Sequence, residues 1–416
     1  MFWPKDMSFF EKICFLILAG FIAFPAIDYI LRNILPIPLI SSLWDELLMA
    51  AGLSLVGLRL LFGSRQRRAG LTSAIFTVML IGLAYTVMDI TTFSVNIEGF
   101  RAVFQFMFVF FIAFYLNDRP ENTRALLSFA VILGALIALY GIYQWVFKVP
   151  MPGSWVDVTE TAVKTRAFSI VGSPNSLGSL MAMLVPVSLG LLMHEKELPR
   201  KLLWAGCALV LAACLVFTFS RGAWLALAGA LAVLGIMYDR RIIIIGVVAA
   251  VIAAVFIPAV SHRITYLFTA EYMMKSAQSG RISRWFEAYD QMRNNPLFGA
   301  GLGHFGGAVA KRAYNSVYVD NYYLKTMAEM GLLGLTAFLW LVLRTVREGY
   351  DALSRLASPG TKFMALGMFG GLLAILMHNA VENIFEIPYL NTYFWLVAGL
   401  LLALPFNTTA GGDSDA

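Results

Sequence analysis

Leu202–Phe219 reads LLWAGCALVLAACLVFTF, and beyond Ser220-Arg221-Gly222 the chain resumes as AWLALAGALAVLGIMY over Ala223–Tyr238. Both runs are continuously apolar, without the alternation of a half-buried strand. About 20 apolar residues in helical form span a hydrocarbon core of about 30 Å. Only helices or closed barrels satisfy their backbone in lipid, and continuous apolarity selects helices. The two runs are therefore expected to form adjacent membrane helices, with an arginine at the tight turn between them.

Working outward, the same pattern recurs. The 416 residues are 59% hydrophobic and 13% charged, with mean hydropathy +0.75, whereas a soluble domain carries about 25% charged residues. Candidate spans fall near Phe9–Leu31, Trp44–Leu61, Leu71–Met88, Val103–Leu116, Leu126–Val146, Leu177–Met193, Leu202–Phe219, Ala223–Tyr238, Ile242–Val260, Tyr323–Leu343, Phe363–Met377 and Tyr389–Leu404. The fold class expected is all-α: a polytopic integral membrane protein of about twelve helices, read as a single membrane domain over 1–416. Cys14, Cys207 and Cys214 all sit within apolar stretches and have no metal-like spacing. The run from Ile13 to Leu31 is long and lacks a small-residue cleavage site, so it is expected to remain as a first span.

Lysine and arginine set the orientation. With the N-terminus cytoplasmic, inner segments hold 17 of the 31 basic residues and short outer segments only Arg32, Arg101 and Arg221. Short loops carry this topological signal, so both termini are expected inside. The positive-inside bias also accounts for most of the net charge of +6, and no nucleic-acid partner is inferred from it. Two long outer segments, 147–175 and 261–322, exceed the length at which loops are usually functional or disordered. The second is rich in aromatic residues and contains an amphipathic helical pattern at Ser283–Met292. The tail 411–416 (GGDSDA) reads as flexible.

Against that orientation, Arg166, Arg221, Arg281 and Arg284 fall on the outer side, beside or within apolar sequence. Arginine next to hydrocarbon is costly unless it meets something anionic. Arg166 precedes Gly172-Ser173-Pro174-Asn175, where Pro and Asn have an equally good reading as turn and N-cap residues. Arg221 lies between two spans, where snorkelling to lipid phosphates is the plain alternative. Arg281 and Arg284 are one helical turn apart and share a face, a geometry that can fork onto a diphosphate. The glycines at 299, 301 and 303 lack a preceding strand, so a turn is favoured over a nucleotide loop. Asp320 starts an outer helix and reads equally as an N-cap or as a general base. Glu329 lies two turns into a span and is expected to be functional or paired. His378, with Asn379 and Glu382 near it, ends a span on the outer side and reads first as an interfacial structural residue. His304, in the Gly-rich turn, is left open.

Taken together, these motifs resemble the O-antigen ligase and polymerase family of bacterial envelope glycosyltransferases. The resemblance rests on Arg166 ahead of Pro174-Asn175, Ser220-Arg221 between spans, and Gly280-Arg281 followed by Trp285. Pro296-Leu297 with Gly299, Gly301 and Gly303 continues it, and Asn321-x-x-Leu324 leading to Glu329-x-Gly331-Leu332-Leu333-Gly334 completes it. It is strongest over 166–334 and weaker through His378 to the last span.

The family resemblance implies a C-type membrane glycosyltransferase. Such an enzyme transfers a glycan from an undecaprenyl diphosphate carrier at the periplasmic face of the bacterial inner membrane, with no cofactor and no metal. Arg166, Arg221, Arg281 and Arg284 would bind the diphosphate; Asp320, Arg221, Arg281 and His378 would be catalytic. Family ligases carry His-Asn where this chain has Asp320-Asn321, and that departure favours polymerisation of an O-antigen or exopolysaccharide unit. Ligation to lipid A core, within lipopolysaccharide biosynthesis, is the alternative, and a membrane transporter is the alternative of another class. The partners implied are the lipid-linked oligosaccharide, membrane lipid, and either lipid A core or a chain-length regulator.

Overall fold

The computed structural model describes residues 7–63, 67–151 and 165–411. Part of the first long outer segment, 152–164, and the tail 412–416 lie outside the described residues.

The described elements are all helical. Helix α1 (Phe9–Ile22) starts on a capping box, in which the Ser8 hydroxyl accepts from the Glu11 amide and the Glu11 carboxylate from the Ser8 amide. It breaks before Pro25 into α2 (Phe24–Tyr29) and a π-helical turn, Ile30–Ile34, and the chain bends there by 63°. There follow α3 (Pro38–Phe62), α4 (Thr72–Met88), α5 (Phe93–Phe104), α6 (Phe108–Leu116), α7 (Pro120–Val146), α8 (Pro174–His194), α9 (Leu198–Phe217), α10 (Arg221–Met237) and α11 (Arg241–Phe256). A second bend, of 103°, leads from α11 into α12 (Pro258–Thr265). The surface helices α13 (Ala270–Gln278), α14 (Arg281–Asn294) and α15 (Ala308–Tyr314) come next, before α16 (Tyr322–Arg355), α17 (Pro359–His378) and α18 (Pro388–Gly411).

Among the described residues, eight helices are long and apolar enough to cross a membrane, or up to ten if each bent pair counts as one span. Thr72–Met88 and Arg221–Met237 are shorter apolar helices. The chain is thus a polytopic helical membrane protein. Its fourth apolar segment, expected to begin at Val103, is a longer run that starts at Ile90 and reaches Leu116. The polar residues Asn96, Glu98 and Arg101 hid that start from a reading based on apolarity. Packing is centred on α8, α17, α18 and α6, whose inner faces supply Leu180, Phe369, Phe394 and Phe110, all nearly sealed from solvent. Helix α11 buries none of its residues, as suits an apolar helix facing lipid on most of its circumference. The three cysteines are buried and unpaired.

Opposite ends of the bundle differ. One gathers Arg59 and Arg67 on Asp118, Arg119 on Glu11, and Arg124 on Glu195. The other carries the surface helices and a break in α16 that fixes their position. Gly331 has φ +61° and ψ −163°, a conformation essentially restricted to glycine. The break leaves backbone groups of α16 without helical partners, and the Gly-rich segment supplies them. The amides of Ala300 and Gly301 donate to the carbonyls of Ala328 and Glu329, at 2.9 and 2.8 Å. The amides of Leu332 and Leu333 donate to Pro296 and Leu297, and the Tyr85 hydroxyl donates to the Met330 carbonyl at 2.6 Å. Backbone groups at a broken span must be satisfied by something other than lipid. The Pro-Leu-x-Gly-x-Gly segment is therefore more than a turn: it is the complement of the broken helix.

A buried ion cluster reinforces this joint. The Lys325 ammonium pairs with the carboxylates of Glu329 and Glu386, the latter at 3.1 Å. Glu386 also accepts from the Ala308 amide, and Glu329 from the Phe305 amide. Glu329 is thus paired, as an intramembrane carboxylate should be.

Candidate functional site

The first cation enters the site through a wedge of chain ahead of α8. The Ala167 amide donates to the Phe217 carbonyl, and Gln144 accepts from the amides of Phe168 and Ser169. The Ser169 hydroxyl donates to the Ile137 carbonyl. Trp145 stacks on Phe217, with ring centroids 3.9 Å apart. Arg166 is pressed inward as a result, to 8% exposure. Its Nε donates to the Thr218 carbonyl at 2.7 Å and its Nη2 to Asn175 Oδ1 at 2.9 Å.

Capping and function separate cleanly at the next turn. Ser173, not Asn175, caps α8 by accepting from the Ser176 amide, and Pro174 takes the first helical position, where it has no N–H to satisfy. Asn175 is left to bridge: its amide nitrogen donates to Glu382 Oε2 at 2.6 Å. The same division holds at α16. Asn321 is the cap, its Oδ1 accepting from the Leu324 amide, while Asp320 sits before it at φ +52° with its side chain turned to the arginines.

Those arginines occupy the first turn of α14, where the helix dipole disfavours positive charge. Arg284 Nη1 lies 2.7 Å from Asp320 Oδ2. Arg281 reaches the same oxygen at 4.0 Å through Nε and Glu382 Oε2 at 3.9 Å through Nη2. Arg281 and Arg284 do share one face, and both meet the carboxylate of Asp320.

Arg221 opens α10, its guanidinium 4.8 Å from the centre of the Tyr272 ring and 3.5 Å from the Arg263 carbonyl. Arg263 is itself buried and donates from Nε to the Phe219 carbonyl at 3.1 Å. Burial pushes the Arg166 guanidinium down to about 10; Glu382 opposes that fall, while Arg281 and Arg221 add to it. All four expected arginines thus belong to one electrostatic neighbourhood, and Arg166 stays charged near neutrality.

His378 closes the base of this neighbourhood. Its Nδ1 is 2.7 Å from the Ser179 hydroxyl, and it is 1% exposed. Gly222 lets the start of α10 approach it: a Cβ there would lie 2.9 Å from His378 Nε2. His304 stands apart, stacked on Tyr314 with its Nδ1 on the Leu302 carbonyl. Glu382 lies just beyond α17. Burial pushes its carboxyl up, and Asp320 adds to the rise; Arg281, Asn175 and Arg166 pull the other way, leaving it at about 7.

The residues singled out in the sequence are therefore brought together, with Arg166, Arg281, Arg284, Asp320 and Glu382 in a connected network and Arg221 and His378 at its border. The bridging role of Asn175, the buried Arg263 and the central position of Glu382 were not legible beforehand. Only Glu382 left a signal, as a carboxylate one turn past the end of an apolar run.

The protein is thus an integral membrane protein whose helical bundle presents a cluster of arginines and carboxylates at one end. Residues 206–339 match the model of the O-antigen ligase family. The matched segment holds Arg221, Arg263, Arg281, Arg284 and Asp320; Arg166, Asn175, His378 and Glu382 join them from either side. No curated protein matches the chain.

Proposed function

We propose that the protein is a glycosyltransferase that polymerises an undecaprenyl-diphosphate-linked glycan at the periplasmic face of the bacterial inner membrane. The observation that supports this most directly is the gathering of Arg166, Arg221, Arg281 and Arg284 around one partly buried site. Arg166, Arg281 and Arg284 stand around the two carboxylates of Asp320 and Glu382, a cationic setting for an anionic headgroup. Positive groups placed where negative charge develops stabilise the departing diphosphate as the anomeric bond breaks. A partly buried site strengthens that attraction by lowering the effective dielectric. The carrier's hydrocarbon tail would lie along the apolar helices, where each buried methylene contributes about 0.8 kcal/mol.

Polymerisation is favoured over ligation to lipid A core because Asp320 stands where family ligases carry histidine. Transport is disfavoured because it leaves the long segment 261–322, with its surface helices and arginines, unexplained. The test is deletion in the native host followed by surface-glycan electrophoresis, with complementation by wild type, R221A and R281A. Loss of the long-chain ladder with one unit retained supports the polymerase. Loss of all capped lipid A core moves the reading to the ligase, and a wild-type ladder from both variants rejects it.

A further inference from the structure

We infer that Glu382 is the group that takes the proton from the attacking acceptor hydroxyl. This deepens the transfer reading above and rests on it. Three side chains at the site carry an atom that can accept a proton: Asp320, His378 and Glu382. Asp320 meets charged groups at close range, its Oδ2 lying 2.7 Å from Arg284 and 4.0 Å from Arg281. His378 is sealed, with Nδ1 on Ser179 and Nε2 against the start of α10.

Glu382 differs from both. Its Oε2 accepts from a neutral amide, Asn175, at 2.6 Å, with Arg281 more distant at 3.9 Å. Its Oε1 accepts no hydrogen bond among the described residues, yet it is not among the oxygens closed off from solvent. The side chain is 13% exposed, shielded enough to hold a proton and open enough to meet a hydroxyl. Its Oε2 also links to both guanidiniums that would hold the departing diphosphate, to Arg281 directly and to Arg166 through Asn175. An acceptor hydroxyl at Oε1 would thus stand beside the bond to be broken.

The step balances without a further reactant. The acceptor oxygen forms a bond to the anomeric carbon as the bond from that carbon to the phosphate oxygen breaks. The electron pair leaves with the diphosphate, and the hydroxyl proton passes to Glu382. The charged and titratable groups facing Glu382 are Arg166 from the segment before α8, Arg281 from α14 and Asp320 from the turn before α16, with His378 one turn earlier in the chain. Burial, which raises the carboxyl's proton affinity, suits a base that works near neutral pH.

The test uses full-length protein in detergent, undecaprenyl diphosphate as the binding probe, and lipid-linked glycan extracted from a host lacking the chain as donor and acceptor. E382Q keeps an oxygen for Asn175 and loses the base. It is expected to bind undecaprenyl diphosphate within about threefold of wild type. Its turnover should fall by about 100-fold or more, in the range general-base removal produces, and its acid limb in the pH–rate profile should vanish. E382D should recover part of the rate together with that limb. E382Q turnover within tenfold of wild type with the acid limb intact overturns the assignment and leaves the arginine site standing. Wild-type protein that binds undecaprenyl diphosphate but does not extend the glycan overturns the transfer reading, and the base with it.

Discussion

Asn175 and Glu382 stand 207 residues apart in the chain and share a hydrogen bond of 2.6 Å. Through Asn175 that contact ties Arg166 to the end of α17, and through Glu382 it reaches Arg281 on α14. One short side chain thus joins three parts of the molecule that approach from different directions.

Removal of that bridge should act on the arginine and the carboxylate together. N175A leaves Arg166 Nη2 without its partner at 2.9 Å and deprives Glu382 of its nearest donor. An unsatisfied buried group costs about 1–3 kcal/mol. Glycan extension should fall by about tenfold or more, while N175D, which keeps an acceptor for Arg166, should repair that contact and add repulsion at Glu382. Turnover of the two variants on extracted lipid-linked glycan, alongside their expression, checks this.

Substitution at Asp320 should look different. D320N weakens the hold on Arg284 at 2.7 Å and leaves Glu382 as the carboxylate facing Arg281. Binding of undecaprenyl diphosphate should therefore change, and the acid limb of the pH–rate profile should persist. A binding constant equal to wild type would mean that Asp320 does not position the arginines.

The stability of the ligand-free protein should depend on pH through Glu382. Its folded carboxyl sits at about 7, above the usual 4.5, so between those values the folded state holds a proton that the unfolded chain releases. Stability from this group is then fully present below about pH 4.5 and is lost as pH rises through about 7. E382Q resembles the protonated form at every pH. Its apparent Tm should match wild type near pH 5 and exceed it near pH 8, a comparison available from thermal unfolding in detergent.

The joint at Gly331 should tolerate no side chain. G331A places a Cβ at φ +61° and ψ −163°, which costs about 1–3 kcal/mol in strain alone. The added carbon would also lie 2.6 Å from the Phe298 amide nitrogen, displacing the segment that completes α16. Lower yield and a Tm several degrees below wild type are expected, and G206A, at a glycine of α9 with open space around it, gives the comparison.

Lys325 should be harder to replace alone than with its partners. K325M leaves Glu329 and Glu386 buried without their cation, and breaking a buried pair this way costs about 3–5 kcal/mol. K325M/E329Q/E386Q removes all three charges and should recover much of the loss. Folded yield after detergent extraction distinguishes the two variants.

Most of the architecture was legible because membrane helices announce themselves locally. Leu202–Phe219 and Ala223–Tyr238 could be placed from apolarity and length alone, since lipid forces every spanning segment to satisfy its own backbone. The misjudged start at Ile90 illustrates the limit. Asn96 and Arg101 are polar, but the helix carrying them is supported by packing against α4 and the segment ahead of α18, which no local pattern reports. Arg166, Arg221, Arg281 and Arg284 were likewise recognisable one by one, because arginine beside apolar sequence is costly wherever it occurs.

What the sequence alone determined, then, was a helical membrane protein with a few arginines set beside apolar sequence. Tertiary structure decided which of Ser173 and Asn175 caps a helix, which of Asp320 and Asn321 faces the arginines, and which carboxylate has a neutral amide as its nearest partner. It also decided that Gly299 and Gly301 repair a helix broken at Gly331. The physical reason is range: hydrophobic length and helix propensity act over a few turns of one segment. Hydrogen bonds and ion pairs depend on angström distances between segments, and only the packed bundle sets those.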